Sequence, residues 1–301
     1  MSPDPNALPV DTARPAPKLL LDTNVYLDLA DGHLPAEGER LKVVAAHRDP
    51  PLLWSCQIVL DELICRTCQG PEDFLRHQAA LRWMDSLCGV LGTGEPLWWV
   101  LRRAVFASDG PKDTEATEIL VKVRRAVLRA ETYDQVPDGI RAGIEGLAAH
   151  YGERIDAWVE SRTKLNAAAR EKVKPGERGV RDTVVATDTV LQIARKYTEG
   201  DIPEWGPMRD PADQKHAQRE QIAFEVSLLR KAQNPGGYNH AKWRGDYNDY
   251  WLCAYPAAGY TIVTRERRLR DALKQGECVD ARVVTLEEGI AIAEDWLARR
   301  R

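Results

Sequence analysis

Several things are missing from this sequence, and each absence narrows what the chain can do. It has no apolar run of about 18 residues, the length a helix needs to cross a bilayer. Its first residues, Met1 to Pro9, carry neither the charged start nor the apolar stretch of a signal peptide. The expectation is a cytoplasmic protein with no membrane partner. Cysteine is scarce: Cys56, Cys65, Cys68, Cys88, Cys253 and Cys278 have no framework spacing, which fits reduced thiols rather than a disulfide scaffold. Cys65 and Cys68 form a CxxC pair, but no second pair and no histidines at metal spacing follow, so packing is their expected role. His33, His47, His77, His150, His216 and His240 are scattered, without an HExxH or a nucleophile motif. Gly92-Thr-Gly94 is not followed by GK[ST], which excludes a phosphate loop. Nor is positive charge in excess. The formal net charge is −4, so any grip on nucleic acid must come from local patches rather than the whole surface.

What is present is a core. With 44% hydrophobic residues in 301, the chain can bury one large domain or two ordinary ones. The stretch Lys18-Leu-Leu-Leu-Asp22-Thr-Asn-Val-Tyr-Leu-Asp28 starts with an apolar run too short for a helix, which reads as a strand of a parallel sheet. Asp22 then stands at its carboxyl end, where open α/β sheets place their ligand crevice. Thr23 or Asn24 is the expected cap of the helix that follows. Leu52 to Ser55 reads as a second strand, leading into a helix that carries Asp61 and Glu62. That helix and a second one, broken from it at Gly70-Pro71, span Asp61 to Leu91, and Val90-Leu91 before Gly92 reads as a short third strand. Far along the chain, Tyr247-Asn-Asp249-Tyr opens a helix with an acid in its first turn. Gly259 stops that segment, and Tyr260 to Thr264 forms a β-branched strand with Glu266 just beyond it.

Taken in order, LLLDTN, DEL on an early helix, NDY opening a late helix and IVTRE after a strand resemble the PIN-domain nucleases. The resemblance covers residues 17–92 and about 244–298. It implies a Rossmann-like α/β/α three-layer sandwich with a parallel sheet, in which carboxylates gather around Mg²⁺ or Mn²⁺ to cut RNA. Carried over position by position, it makes Asp22, Glu62, Asp249 and Glu266 the catalytic metal ligands. Glu266 departs from the family's usual Asp and reaches one methylene further. Asn24 and Thr264 become residues that orient the carboxylates. Asp246 is either an accessory ligand or the cap of the late helix, and the cap is the expected role. An oxygen-only cluster of this kind suits a hard cation, which generates hydroxide and stabilises the leaving oxygen.

The rest of the chain is organised around that core. Residues 1–16, rich in proline, read as a flexible tail. Residues 95–237 repeat apolar positions at helical spacing, with breaks at Gly110-Pro111, Pro137-Asp-Gly139, Pro175-Gly176 and Pro235-Gly-Gly237. They read as an all-helical insertion between core segments 17–94 and 238–301. Within it, Lys172, Lys174 and Arg178 belong to a basic arm that is either a strap over a phosphate backbone or a solvated helix end. Arg265, Arg267 and Arg268, beside Glu266, are the stronger phosphate contacts. Tryptophans at helical positions are expected in the core, with Trp243 the one set aside for stacking on a base. The expected function is metal-dependent endoribonuclease. The alternatives are a catalytically weakened module that binds nucleic acid or a protein, or a DNA-cutting nuclease of a defence or toxin system. Its expected partners are RNA, an antitoxin or other protein, and a second copy of the chain.

Overall fold

The computed structural model describes residues 15–89, 96–106, 114–171, 178–196, 207–232 and 245–300. The tail before Pro15, the strand expected at Val90-Leu91, Lys172, Lys174 and Trp243 lie outside the described residues. Among the described residues four parallel strands make one sheet: β1 (Lys18–Leu21), β2 (Leu53–Trp54), β3 (Tyr260–Val263) and β4 (Val283–Val284), in the order β2-β1-β3-β4. Leu20 pairs with Trp54 on one side and with Ile262 on the other, and Leu21 pairs with Val263. β1 and β3 are buried on nearly every residue, as expected for strands covered on both faces. β2 is shorter than the expected Leu52–Ser55 and keeps only two residues in the ladder.

Between β1 and β3 the order reverses. From β1 the chain crosses over to β2, and from β3 it crosses over to β4, so the two central strands diverge at their carboxyl ends. That divergence is the topological switch point of an open α/β sheet, where a crevice forms. The backbone N–H of Asp22 donates to Val263 O at 3.0 Å, extending the ladder by one residue past β1. Asp22 therefore lies at the mouth of the crevice.

The helices of the first half are α1 (Thr23–Ala30), α2 (Pro35–Ala45), α3 (Gln57–Arg66) and α4 (Pro71–Cys88). Asp22 itself caps α1, its Oδ1 accepting from Thr23 N–H at 2.7 Å. This corrects the expectation of a Thr23 or Asn24 cap: both residues are already inside the helix, and their side chains are used elsewhere. Pro71 starts α4 at its first turn, where the missing N–H has no helical partner to lose.

Every named element from Leu97 to Ala232 is a helix: α5 (Leu97–Val105), α6 (Thr114–Arg129), α7 (Asp138–Glu171), α8 (Arg178–Lys196), α9 (Pro211–Ala217) and α10 (Arg219–Ala232), with a 3₁₀ turn at Tyr133–Gln135. These helices do not build a core of their own. α7 packs on α3, and the buried side chains of α5, α7, α8 and α10 join one cluster with those of the sheet. The last elements are α11 (Asp246–Leu252), a 3₁₀ turn at Tyr255–Ala258, α12 (Arg267–Gln275) and α13 (Leu286–Ala298). α10 packs on both α11 and α12. Gly289 of α13 lies so close to the sheet that a Cβ there would meet Val263 at 2.8 Å. The missing side chain lets the helix settle against β3, one residue before Thr264.

All six cysteines are free, and Cys56, Cys65, Cys88 and Cys253 are buried. Trp99, Trp158, Trp251 and Trp296 are core residues. No helix among the described residues is long and apolar enough to cross a membrane.

Candidate functional site

Each acid singled out above is delivered to the crevice by a different element. Asp22 ends β1, Glu62 lies on α3, Asp249 on α11, and Glu266 immediately precedes α12. Short polar side chains tie them together. Thr264 Oγ1 donates to Asp22 Oδ2 at 2.8 Å and in turn accepts the backbone N–H of Glu266 at 2.9 Å. Thr23 Oγ1 donates to Glu62 Oε2 at 2.8 Å, and Asn24 Nδ2 donates to Glu266 Oε1 at 2.6 Å. Asn24 and Thr264 thus hold carboxylates, as the resemblance implied, and Thr23 does the same. Of the neighbouring pair on α3, Glu62 turns to Thr23 while Asp61 turns to Gln57 and Arg154.

Burial makes these negative charges costly. It pushes the Asp22 carboxyl up to about 7; the Thr264 hydrogen bond opposes the rise, and the charges of Glu266 and Glu62 add to it. Asp249 is held well above the usual carboxylate range by burial and by the charges of Glu266 and Asp22, with Arg268 pulling the other way. Burial also raises Glu62, against the hydrogen bond from Thr23. The charge of Glu266 thus acts on Asp22, Glu62 and Asp249 alike, which ties the four acids to one crevice.

Two residues take roles different from those expected. Asp246 is not a cap, because Gly245 occupies that position and no side chain caps α11. Asp246 instead lies buried in the first turn, with one oxygen 2.8 Å from Arg268 Nη2. The ion pair is close, yet among the described residues neither Asp246 oxygen has a partner at hydrogen-bonding angles, so the attraction to Arg268 is mainly Coulombic. Arg268, read from sequence as a phosphate contact, turns inward to Asp246 and to Asp249 Oδ2 at 3.3 Å. Arg265 pairs with Asp28 on α1, and exposed Arg267 pairs with Asp271 at 3.3 Å. Arg178 opens α8, in the segment of the expected basic arm.

Two polar residues were not anticipated. Asn248 hydrogen-bonds Glu62 from α11, and Tyr151 of α7 donates its hydroxyl to Asn248 Oδ1. Asn248 had a signal, since it adjoins Asp249 in the motif. Tyr151 had none: only the fold brings it across 97 residues of sequence. Around it, Trp158 of α7 packs edge-on against Tyr247 of α11, and Arg162 lies over Tyr250 at 4.9 Å. The helical segment therefore braces the helix that carries Asp249.

The donor set suits a hard divalent cation in kind: it is all oxygen, and its mutual repulsion would be relieved by positive charge. As they stand, no three such side chains among the described residues are grouped closely enough to hold an ion. Each acid is already engaged, Asp22 by Thr264, Glu62 by Thr23, Glu266 by Asn24 and Asp249 by Arg268. Taking up a cation means exchanging some of these partners for it. Comparison with known proteins gives no matching family model, no matching curated protein and no matching solved structure.

Proposed function

We propose that the crevice between β1 and β3 hydrolyses phosphodiester bonds with Mg²⁺ or Mn²⁺, and that the protein is an endoribonuclease of the PIN type. One observation carries the reading. Four acids chosen from separate ends of the sequence meet at a switch point of a parallel sheet, where burial works against the charge of Asp22, Glu62 and Asp249 and the charge of Glu266 adds to their repulsion. A site that holds like charges together at such cost has a use for a cation.

In this reading Asp22, Glu62, Asp249 and Glu266 would hold the ion, which when bound would supply Lewis-acid activation of water and charge compensation for the scissile phosphate. The remaining work falls to the chain itself. Thr264 and Thr23 aim the carboxylate oxygens of Asp22 and Glu62, and Asn24 aims Glu266. Arg268 holds Asp249 and Asp246 in register until the site is charged. Arg267 and Arg265, both exposed, would meet flanking phosphates by exchanging Asp271 and Asp28 for them.

Arg268 also supports a second reading. A guanidinium on Asp249, together with Glu where the resembled family has Asp, fits a module that binds nucleic acid or a protein partner and cuts poorly. Incubating the protein with RNA, single-stranded DNA and duplex DNA, each with Mn²⁺, separates these readings. Cleavage of RNA that is lost in Asp22→Asn supports the nuclease. Binding without cleavage supports the weakened module, and cleavage of DNA alone moves the substrate class. Cleavage undiminished in Asp22→Asn would remove this crevice from the chemistry.

A further inference from the structure

Beyond the crevice, the described surface holds a cavity of about 560 Å³ between α6, the following 3₁₀ turn and the start of α7. Its walls include Lys122, Arg125 and Arg129 of α6 together with Gln135, Pro137 and Ile140, and no acid. The three cations fall at i, i+3 and i+7, so they share one helix face. All three are exposed, and among the described residues none of them takes part in an ion pair. The opposite face of α6 is firmly anchored. Buried Arg124 pairs with Asp85 of α4 at 2.9 Å, and the Gln78 amide of α4 donates to Val127 O and Ala130 O at 2.8 and 2.5 Å. The basic face is therefore held outward by packing. The adjoining acids Asp134 and Asp138 are turned to Arg141, so in a chain of net charge −4 the cavity wall itself carries three aligned cations and no acid, a lining that favours a polyanion.

α7 links this cavity to the carboxylates. Ile140 lines the cavity, and Tyr151 on the same helix bonds Asn248 beside Glu62. Those eleven residues of helix span about 16 Å at about 1.5 Å per residue. A stacked strand rising about 3.4 Å per nucleotide covers that distance in about five nucleotides.

We infer that Lys122, Arg125 and Arg129 form a phosphate-binding subsite for an RNA strand about five nucleotides from the bond being cut. The inference rests on the nuclease reading for its direction, but its test does not depend on cutting. The Lys122→Glu/Arg125→Glu/Arg129→Glu variant and the milder Lys122→Gln/Arg125→Gln/Arg129→Gln variant are compared with the wild-type chain. The readout is fluorescence anisotropy with labelled single-stranded RNA of about 20 nucleotides, in EDTA and across a salt series. The charge-reversed chain should bind at least tenfold more weakly. The slope of log K against log salt should fall by about 2, since each lost phosphate contact on a single strand removes about 0.7. The glutamine variant, which introduces no repulsion, should show the same loss of slope. Unchanged RNA affinity and slope in both variants would overturn the subsite. So would poly-glutamate binding the wild-type chain better than RNA does, because the cavity would then serve an acidic protein. Charge-sensitive RNA binding in a protein that cuts nothing with Mn²⁺ would keep the subsite and overturn the nuclease reading alone.

Discussion

Asp22 does two jobs with one carboxylate. Its Oδ1 caps α1, and its Oδ2 receives Thr264 across the switch point. Asparagine can keep the cap through its amide oxygen and meet Thr264 Oγ1 with its amide N–H as donor in place of the accepted bond, so Asp22→Asn removes charge while sparing the helix. That separates stability from function. In the fold Asp22 keeps its proton up to about 7, whereas an unfolded aspartate loses it near about 3.9. Between those values the folded state binds more protons, so stability is highest below the unfolded value and falls as pH rises through the folded one. Glu62 and Asp249, raised for the same reason, add in the same direction. In EDTA the Asp22→Asn variant should melt above the wild-type chain, by a margin that widens from about pH 4 to about pH 7 and then levels. Saturating Mn²⁺ should stabilise the wild-type chain but not the variant. Thermal melts across that range check this, and a margin independent of pH would mean that Asp22 does not pay a burial penalty.

At the scale of elements, the brace between the inserted helices and the site makes its own prediction. Arg162 of α7 and Glu225 of α10 form an ion pair whose side chains are almost wholly buried, beneath Tyr250 of α11. Arg162→Met would strand the Glu225 charge and should cost about 3–5 kcal/mol in urea unfolding, whereas adding Glu225→Leu should recover much of it. Equal losses in the single and double variants would contradict the pairing. Elements were the most legible level of the sequence. The Leu run ending at Asp22, the Gly70-Pro71 break and the β-branched run after Gly259 all became the elements they signalled, because strand burial and helix stops are written locally. Arg268 was misread because a run of arginines fixes charge without fixing direction. Asp246 was misread because an acid near a helix start serves as well in the first turn as at the cap, and only packing decides. Tyr151 could not be read at all, since its partner is chosen by how a long helix crosses α11.

The whole molecule is an α/β fold in which a small parallel sheet organises a much larger helical mass. The sequence divided it into core and insertion at residues 95 and 237, yet the helices between share their buried side chains with the sheet. Patterning reveals which faces are apolar but not which neighbour covers them, so continuity of the core was beyond it. At this scale the central claim is that acids from four distant elements act as one cation site. The most direct test is Mn²⁺ titration followed by electron paramagnetic resonance, on the wild-type chain and on Asp22→Asn, Glu62→Gln, Asp249→Asn and Glu266→Gln separately. The account predicts Mn²⁺ bound by the wild-type chain and at least tenfold weaker binding in every variant, because each removes a charge from a shared set. Wild-type affinity retained in all four would contradict it.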